Sequence, residues 1–282
     1  MQIFDRKNQV YYEEKEYEQK KLDFLYKTIL GRILLRSVSS PRFSNWLAER
    51  DKLPSSVKKI APFAKKFDIP MDNVELQSYR SFNDFFKREI KAGSRPIGDG
   101  LISPADAKLL IYPINVQSSI KIKQSFYTVA ELIQDEKLAK DYQNGLCLVF
   151  RLSVDDIHHY IFCDSGHVLS SKLIRGRLHS VRPIAETRYK VFSQNTRICT
   201  VLDFDAFGQA IQIEVGALLV GKINNAEIQH FLKGYEKGNF ELGGSTIVLL
   251  FKEDAVRIDT DILERSAAGI ETKVRLGEGI GL

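Results

Sequence analysis

The sequence is poor in several residue types whose abundance would settle its class early. Among 282 residues there are three cysteines, two methionines, one tryptophan, five histidines and eight prolines. Cys147, Cys163 and Cys199 are odd in number and widely spaced. That excludes a disulfide framework and a CxxC zinc site, implies no metal, and suits a reducing compartment. No stretch approaches the roughly 18 uninterrupted apolar residues of a transmembrane helix. The N-terminus, Met-Gln-Ile-Phe-Asp-Arg-Lys followed by Tyr-Tyr-Glu-Glu-Lys-Glu, carries acidic residues and no apolar core, unlike a secretory signal. There is no internal repeat and no low-complexity tract. The remainder is globular in composition, with 44% hydrophobic and 27% charged residues, and is long enough for one or two domains at about 150 residues each.

Charge is unevenly placed. Residues 1–100 hold 20 Lys and Arg against 14 Asp and Glu, a balance of +6, whereas residues 101–282 hold 21 against 22. A basic half suits an anionic partner, either a lipid surface or nucleic acid. Zinc-finger spacing, an RRM-like signature and a dense Arg/Lys tract are all absent, which argues against nucleic acid.

The apolar pattern changes at the same place. Before residue 100 it is helical: Leu22, Leu25, Ile29 and Ile33 recur at three- and four-residue spacing among Lys20, Lys21, Lys27, Arg32 and Arg36. Such a cationic amphipathic helix lies on an anionic bilayer, or packs on its own domain with a solvated basic face. Lys58, Lys59, Lys65 and Lys66 flank Ile60, Phe63 and Ala64 in a second basic stretch, with Phe43, Trp46 and Leu47 nearby. Ser81 is a candidate N-cap for a helix that runs towards Ile90, and Ala92-Gly-Ser-Arg-Pro-Ile-Gly-Asp-Gly reads as a linker. Beyond it, strands are expected over 108–112, 146–152, 159–162, 198–202, 210–215, 217–223 and 246–251, with a short helix over 128–133. The expected class is therefore α+β: a basic helical region, residues 1–100, followed by a mainly antiparallel β domain, residues 101–282, built as two packed sheets or a partly closed barrel.

The segment Phe240-Glu-Leu-Gly-Gly-Ser-Thr-Ile-Val-Leu-Leu-Phe251 is the most informative. Glycine at 243 and 244 leaves the backbone open to close approach, so Ser245 Oγ is able to attack the Gly244 carbonyl. The competing interpretation is an ordinary turn feeding a buried strand. This is not a Gly-x-Ser-x-Gly elbow. A serine nucleophile needs a base, and the base an orienting group. Adjacent His158 and His159 offer one; on a strand only one of them faces a given site. His167, His179 and His230 are lone and weaker candidates. For the acid, Asp106 follows Ser103-Pro-Ala before a strand, while Asp155 and Asp156 stand very close to His158 in sequence.

Taken in order, Ser103-Pro-Ala-Asp, Leu152-Ser-Val-Asp-Asp-Ile-His, Leu178-His-Ser-Val-Arg-Pro-Ile, Glu214-Val-Gly-Ala-Leu-Leu-Val-Gly-Lys-Ile and Gly243-Gly-Ser-Thr-Ile-Val-Leu-Leu-Phe closely resemble the phosphatidylserine decarboxylase proenzymes of the prokaryotic type. Ser81-Phe-Asn-Asp-Phe-Phe-Lys-Arg-Glu and Arg95-Pro-Ile resemble them too, so the similarity runs from about residue 79 to the C-terminus. The resemblance implies self-cleavage between Gly244 and Ser245 into a large chain, 1–244, and a small chain, 245–282. It implies that Ser245 becomes a covalent pyruvoyl group, the Schiff-base-forming electron sink that converts phosphatidylserine to phosphatidylethanolamine and CO2, with no external cofactor. The acid, base and nucleophile map onto Asp106, His158 and Ser245, with His159, Gly243 and Thr246 as possible support. A homodimer, peripheral on the cytoplasmic face of the membrane, is implied as well. Three positions depart from the family pattern: Ile161 replaces a second histidine, Ala107 a glycine and Ile157 a tyrosine.

Three other readings remain at this point: a serine hydrolase using the same Asp, His and Ser, a membrane- or nucleic-acid-binding module, and a relative that has lost processing. Which residues hold the lipid phosphate stays open, with Arg188, Arg197 and Lys222 as candidates.

Overall fold

The computed structural model describes residues 2–14, 19–69, 79–88, 93–122, 125–218, 222–241 and 245–282. The chain opens with a hairpin of β1 (Gln2–Asp5) and β2 (Val10–Glu13), then α1 (Gln19–Lys27), α2 (Ile29–Val38) and α3 (Pro41–Asp51). A 3-10 turn (Pro54–Lys59) leads into α4 (Ile60–Lys66), and α5 is Phe82–Lys87. Next come β3 (Leu101–Ile102), β4 (Ala107–Pro113), β5 (Ser119–Ile122), β6 (Ser125–Thr128), α6 (Val129–Ile133), α7 (Glu136–Ala139), β7 (Leu146–Leu152), β8 (His159–Ile161) and β9 (Gly166–Ile174). Two single turns, α8 (Pro183–Glu186) and α9 (Val191–Gln194), precede β10 (Arg197–Phe204), β11 (Gly208–Val215), β12 (Ile223–Asn225), β13 (His230–Phe231) and β14 (Glu236–Phe240). The chain closes with β15 (Ser245–Phe251), α10 (Thr260–Ala267), β16 (Glu271–Val274) and β17 (Gly279–Gly281).

Ten strands form one open sheet in the order β13-β9-β10-β11-β15-β7-β4-β16-β1-β2, and three more form a small sheet, β12-β14-β8. The large sheet is antiparallel except where β1 runs parallel to β16. Its order ends at β13 and β2, so it is an open sheet and not a closed barrel. The class is α+β, as the composition and periodicity led us to expect.

Central strands are apolar along their whole length because both faces of the sheet are covered. On β15, Ile247, Leu249 and Phe251 enter one core with Leu148, Phe150 and Leu152 of β7. Val248 and Leu250 enter a second core with Cys147 and Val149. Strand side chains alternate faces, so one run of seven buried residues serves both layers. The small sheet and α10 cap the first core through Tyr160, Phe240 and Ile262; α1, α2 and α6 cover the second through Tyr26, Leu35 and Leu132.

The N-terminal region departs from a purely helical reading. Its first residues form the β1–β2 hairpin, with Ile3 and Phe4 buried. The Leu22–Ile33 stripe is two helices, not one, because the Thr28 side chain caps α2 by accepting the Gly31 N–H at 2.9 Å. Gly31 also lets α2 press on α1: a Cβ there would lie 1.9 Å from the Phe24 carbonyl oxygen. As a result Leu22 and Leu25 pack on the core, whereas Ile29, Leu30, Ile33 and Leu34 face outward. Ser81 caps α5 as expected, accepting the Asp84 N–H at 3.1 Å. The strand expected over 217–223 does not form over Ala217 and Leu218. There the Leu218 N–H bonds His179 O, and Gly216 O accepts Asn195 Nδ2, so this backbone is tied to loops. Residues 219–221 lie outside the described residues.

Among the described residues no helix is long and apolar enough to cross a membrane. The C-terminal strands are sewn into the body of the protein. β15 lies between β7 and β11, and β16 between β4 and β1. The buried Arg151 guanidinium bonds Glu271 of β16, through Nε at 3.0 Å and through Nη2, and Glu14 at 2.9 Å. Burial opposes its charge, yet the two carboxylates hold it above the ordinary arginine value. Glu271→Ala should destabilise the fold by ~3 kcal/mol, the low end for breaking a buried ion pair because Glu14 remains; urea unfolding monitored by circular dichroism reads this directly.

Candidate active site

Two pairs of strands, one in the large sheet and one in the small, end at the same corner. β7 and β15 are neighbours, with Leu152 opposite Ser245. β8 and β14 are neighbours, with His159 opposite Asn239, and the Phe240 N–H donates to His158 O at 2.9 Å. The strand ends that carry His158 and Ser245 therefore lie at the same corner. Both are fully buried. Register places Ser245 on the same face as Leu152 and Ile247, the face that the small sheet covers. Ser245 Oγ has no hydrogen-bond partner among the described residues. A buried hydroxyl left so costs about 1–3 kcal/mol, which fold stability alone does not explain.

His158 is oriented by backbone. Its Nδ1 lies 2.9 Å from the Asp156 carbonyl oxygen, which only accepts. Nδ1 therefore carries the proton in the neutral ring, and Nε2 is the basic nitrogen. The Phe86 ring packs on the imidazole at 4.3 Å between centroids. The turn before His158 is clamped by two buried cations. Lys108 Nζ donates to Asp156 Oδ2 at 2.6 Å, and that oxygen also accepts the Ser153 N–H at 2.7 Å. Arg88 Nη2 donates to the carbonyls of Asp155 and Asp156 at 3.0 and 2.8 Å. Burial works against the Lys108 charge, but Asp156 and Asp155 outweigh it and hold the amine above its ordinary value.

Asp106 stands at the same end of the sheet, just before β4, which pairs with β7. Its carboxylate is occupied. Oδ1 accepts Arg95 Nε at 3.0 Å and the Leu276 N–H at 2.8 Å, and Oδ2 accepts Arg95 Nη2 at 2.6 Å. The expected pairing thus takes a different form: Nδ1 of His158 is held by the Asp156 carbonyl, and Asp106 forks onto Arg95 and anchors the C-terminal segment.

A family model described as phosphatidylserine decarboxylase matches residues 82–282. Phosphatidylserine decarboxylase proenzyme 2 of Clostridium acetobutylicum is 53% identical over 283 residues, covering 99% of this chain and 97% of that protein. The phosphatidylserine decarboxylase proenzymes of Desulfitobacterium hafniense and Clostridium perfringens are 39% and 37% identical, over 100% of this chain and 98% and 99% of theirs. The chain belongs to the phosphatidylserine decarboxylase family.

The remaining candidates fall into place around this corner or away from it. His159 points the other way from His158, its Nδ1 2.8 Å from the exposed Glu236 carboxylate. Thr246 is buried on the opposite face of β15 from Ser245, beside Val215. Gly243 and Gly244 lie outside the described residues. His167 and His230 face each other across β9 and β13, towards the other end of the sheet. His179 stacks on Tyr189 at 4.0 Å, and burial pulls its pKa from 6.5 down to about 4. Arg197 is structural: its buried guanidinium donates to the carbonyls of Leu132, Ser193, Asn195 and Glu131. Arg188 is exposed, and Lys222 is exposed on a groove described below.

Sequence reasoning passed over Lys108 and Arg88, and set Asp156 aside as too close to His158. The Asp156 carboxylate turns to Lys108 and the Ser153 N–H, and it is the Asp156 carbonyl that meets the ring. Nitrogen NMR of histidine-labelled protein should show His158 protonated on Nδ1. Asp156→Ala keeps that carbonyl but strands Lys108, and should lower stability by ~3–5 kcal/mol; undiminished stability in urea unfolding would remove the Lys108–Asp156 clamp from this role.

Proposed function

We propose that this chain decarboxylates phosphatidylserine with a pyruvoyl group made from its own Ser245. Phosphatidylserine decarboxylation, a carboxy-lyase step of phospholipid biosynthesis, follows from family membership. Self-processing is supported by one observation above all: a buried serine hydroxyl, unpartnered among the described residues, at the head of a strand and at the same corner as a buried, oriented histidine.

In this reading His158 Nε2 takes the Ser245 Oγ proton as general base. Oγ attacks the Gly244 carbonyl, and the Gly244–Ser245 amide becomes an ester while the Ser245 nitrogen is released as an amine. Removal of the Ser245 α-proton expels the ester oxygen, so Gly244 leaves as a carboxylate and residue 245 becomes dehydroalanine. Water then replaces its nitrogen, which departs as ammonia. The large chain is 1–244 and the small chain 245–282. A pyruvoyl group at this position supplies a carbonyl that condenses with the substrate amine and draws electrons from the bond to the departing CO2. His158, on the same corner, returns a proton to the substrate carbon. Asp106, through Arg95 and the Leu276 N–H, keeps the C-terminal segment against β4 beside this corner.

Residues 1–100 serve as the docking region in the same reading, with the β-rich remainder as the catalytic body. Ile29, Leu30, Ile33 and Leu34 of α2 are all more than half exposed, with Arg32 and Arg36 among them. An apolar face edged with cations inserts at an anionic leaflet, each nearby Lys or Arg adding about 1 kcal/mol. Peripheral binding at the cytoplasmic face and a homodimer complete the proposal.

Intact mass spectrometry should find two chains, the smaller with a ketone at its N-terminus that borohydride reduces. Ser245→Ala should remain one full-length chain; a normally cut Ser245→Ala protein refutes the scheme. Leu30→Asp with Ile33→Asp should cut sedimentation with anionic liposomes by about tenfold or more, and undiminished sedimentation would move docking elsewhere.

A further inference from the structure

A groove of about 810 Å³ lies between α3 and the ends of β9 and β10. It opens on the face and end of the sheet that carry Ser245. Leu173 and Ile198, which line it, are register partners, and Ile198 in turn pairs with Glu214 next to β15. Its inner side includes Lys222 and Glu241, joined by a bond from the Glu241 N–H to Lys222 O at 2.9 Å, and Glu241 is four residues before Ser245. Its other limit includes Arg42, four residues after α2 ends. There α2 is tied to the groove wall, because the Leu178 N–H donates to Ser39 O and Arg177 Nη1 to Arg36 O at 3.0 Å. Leu173, half exposed, supplies an apolar surface on the same wall.

The charges of the lining are unbalanced. Lys52 sits between two glutamates, 2.8 Å from Glu49 and 3.1 Å from Glu241. That trio satisfies itself. Arg42, Arg175 and Lys222 remain, all exposed to the groove and without an ion pair among the described residues. Three cations lining one concave surface, whose two glutamates are taken up by Lys52, make an anion site.

We propose that Arg42, Arg175 and Lys222 bind the phosphodiester of a glycerophospholipid. The proposal rests on the decarboxylase reading and extends it to the substrate's phosphate. In the lipid, serine, phosphate, glycerol and acyl chains follow one another. The protein repeats that order: the Ser245 corner, the three cations, then Leu173 and the outward apolar face of α2. The phosphate thus sets how far the amino acid headgroup reaches towards residue 245. Arg197, an alternative from sequence, is spent on four carbonyls and takes no part.

The test uses the full-length Ser245→Ala protein, whose binding is read without catalysis, and dihexanoyl phosphatidylserine below its micellar concentration, so that bilayer docking drops out. Calorimetric titration should show Arg175→Gln and Lys222→Gln each weakening binding about tenfold, as loss of a charge-assisted contact predicts. The triple variant with Arg42→Gln should lose it, while Lys137→Gln, an exposed cation elsewhere, binds as the parent. In the processing-competent background the same changes should raise KM for this lipid. Unchanged binding in the triple variant overturns the assignment even if the enzyme decarboxylates. Tenfold losses in a protein whose processing-competent form does not decarboxylate uphold the groove and overturn the function instead. A groove that takes inorganic phosphate but not the short-chain lipid is an inorganic-anion site, and that outcome also refutes the proposal.

Discussion

The structure depends on two strand pairings that end at one corner. β7 and β15 run together in the large sheet, β8 and β14 run together in the small one, and the strand ends that carry Ser245 and His158 lie at the same corner. A one-residue slip in β7–β15 would rotate Ser245 to the opposite face, where Thr246 now sits. The slip is prevented because every residue of β15 is buried between two cores that accept different side chains. The position of one hydroxyl is therefore set by apolar packing over the whole strand, not by polar contacts of its own.

Polar contacts do their work one layer back. The turn that carries His158 is fastened by Lys108 and Arg88, each reaching it from a different element, β4 and the end of α5. Two buried cations are costly to desolvate, and α5 ends with Arg88 at a φ of 30°, in the left-handed region that large side chains avoid. Those expenses hold one carbonyl and one ring in place. They also join the N-terminal helices to the β layers, because α5 packs Phe82 and Phe85 into a small core with Ile60 and Ala64 of α4. The helix α4 is in this way connected, through α5, to the histidine.

Much of this was legible in the sequence. The buried runs at 146–152 and 246–251 could be read as strands because apolar length and β-branching suffice for central strands. The Ser81 cap carried its own local signal. The ordered motifs marked His158 and Ser245 and, with them, the family. What stayed hidden depended on distance in sequence. The β1–β2 hairpin is short, and its place in the sheet comes from β16, some 270 residues later. The split at Thr28 depends on Gly31 touching Phe24, which periodicity cannot weigh. The bond of His158 goes to a main-chain carbonyl, and any residue type supplies one, so no letter at position 156 announces it. The fork between Arg95 and Asp106 was missed although both residues had been singled out, because nothing in a string of residues says that they meet.

The central location of β15 has a further meaning for the life of the protein. As an intact chain, β15 reaches its slot as part of one polymer, with the short connection from β14 keeping its local concentration high. Severing the bond before Ser245, as proposed, turns that step into an encounter between separate molecules, one of them only 38 residues long. Native cut protein would stay together, because both flanks of the strand are hydrogen-bonded within the sheet. Once melted, it has lost the tether that assembled it. Maturation by that cut would convert a reversible equilibrium into a one-way lifetime: an enzyme folded as a precursor, armed once, and lasting as long as its unfolding barrier allows.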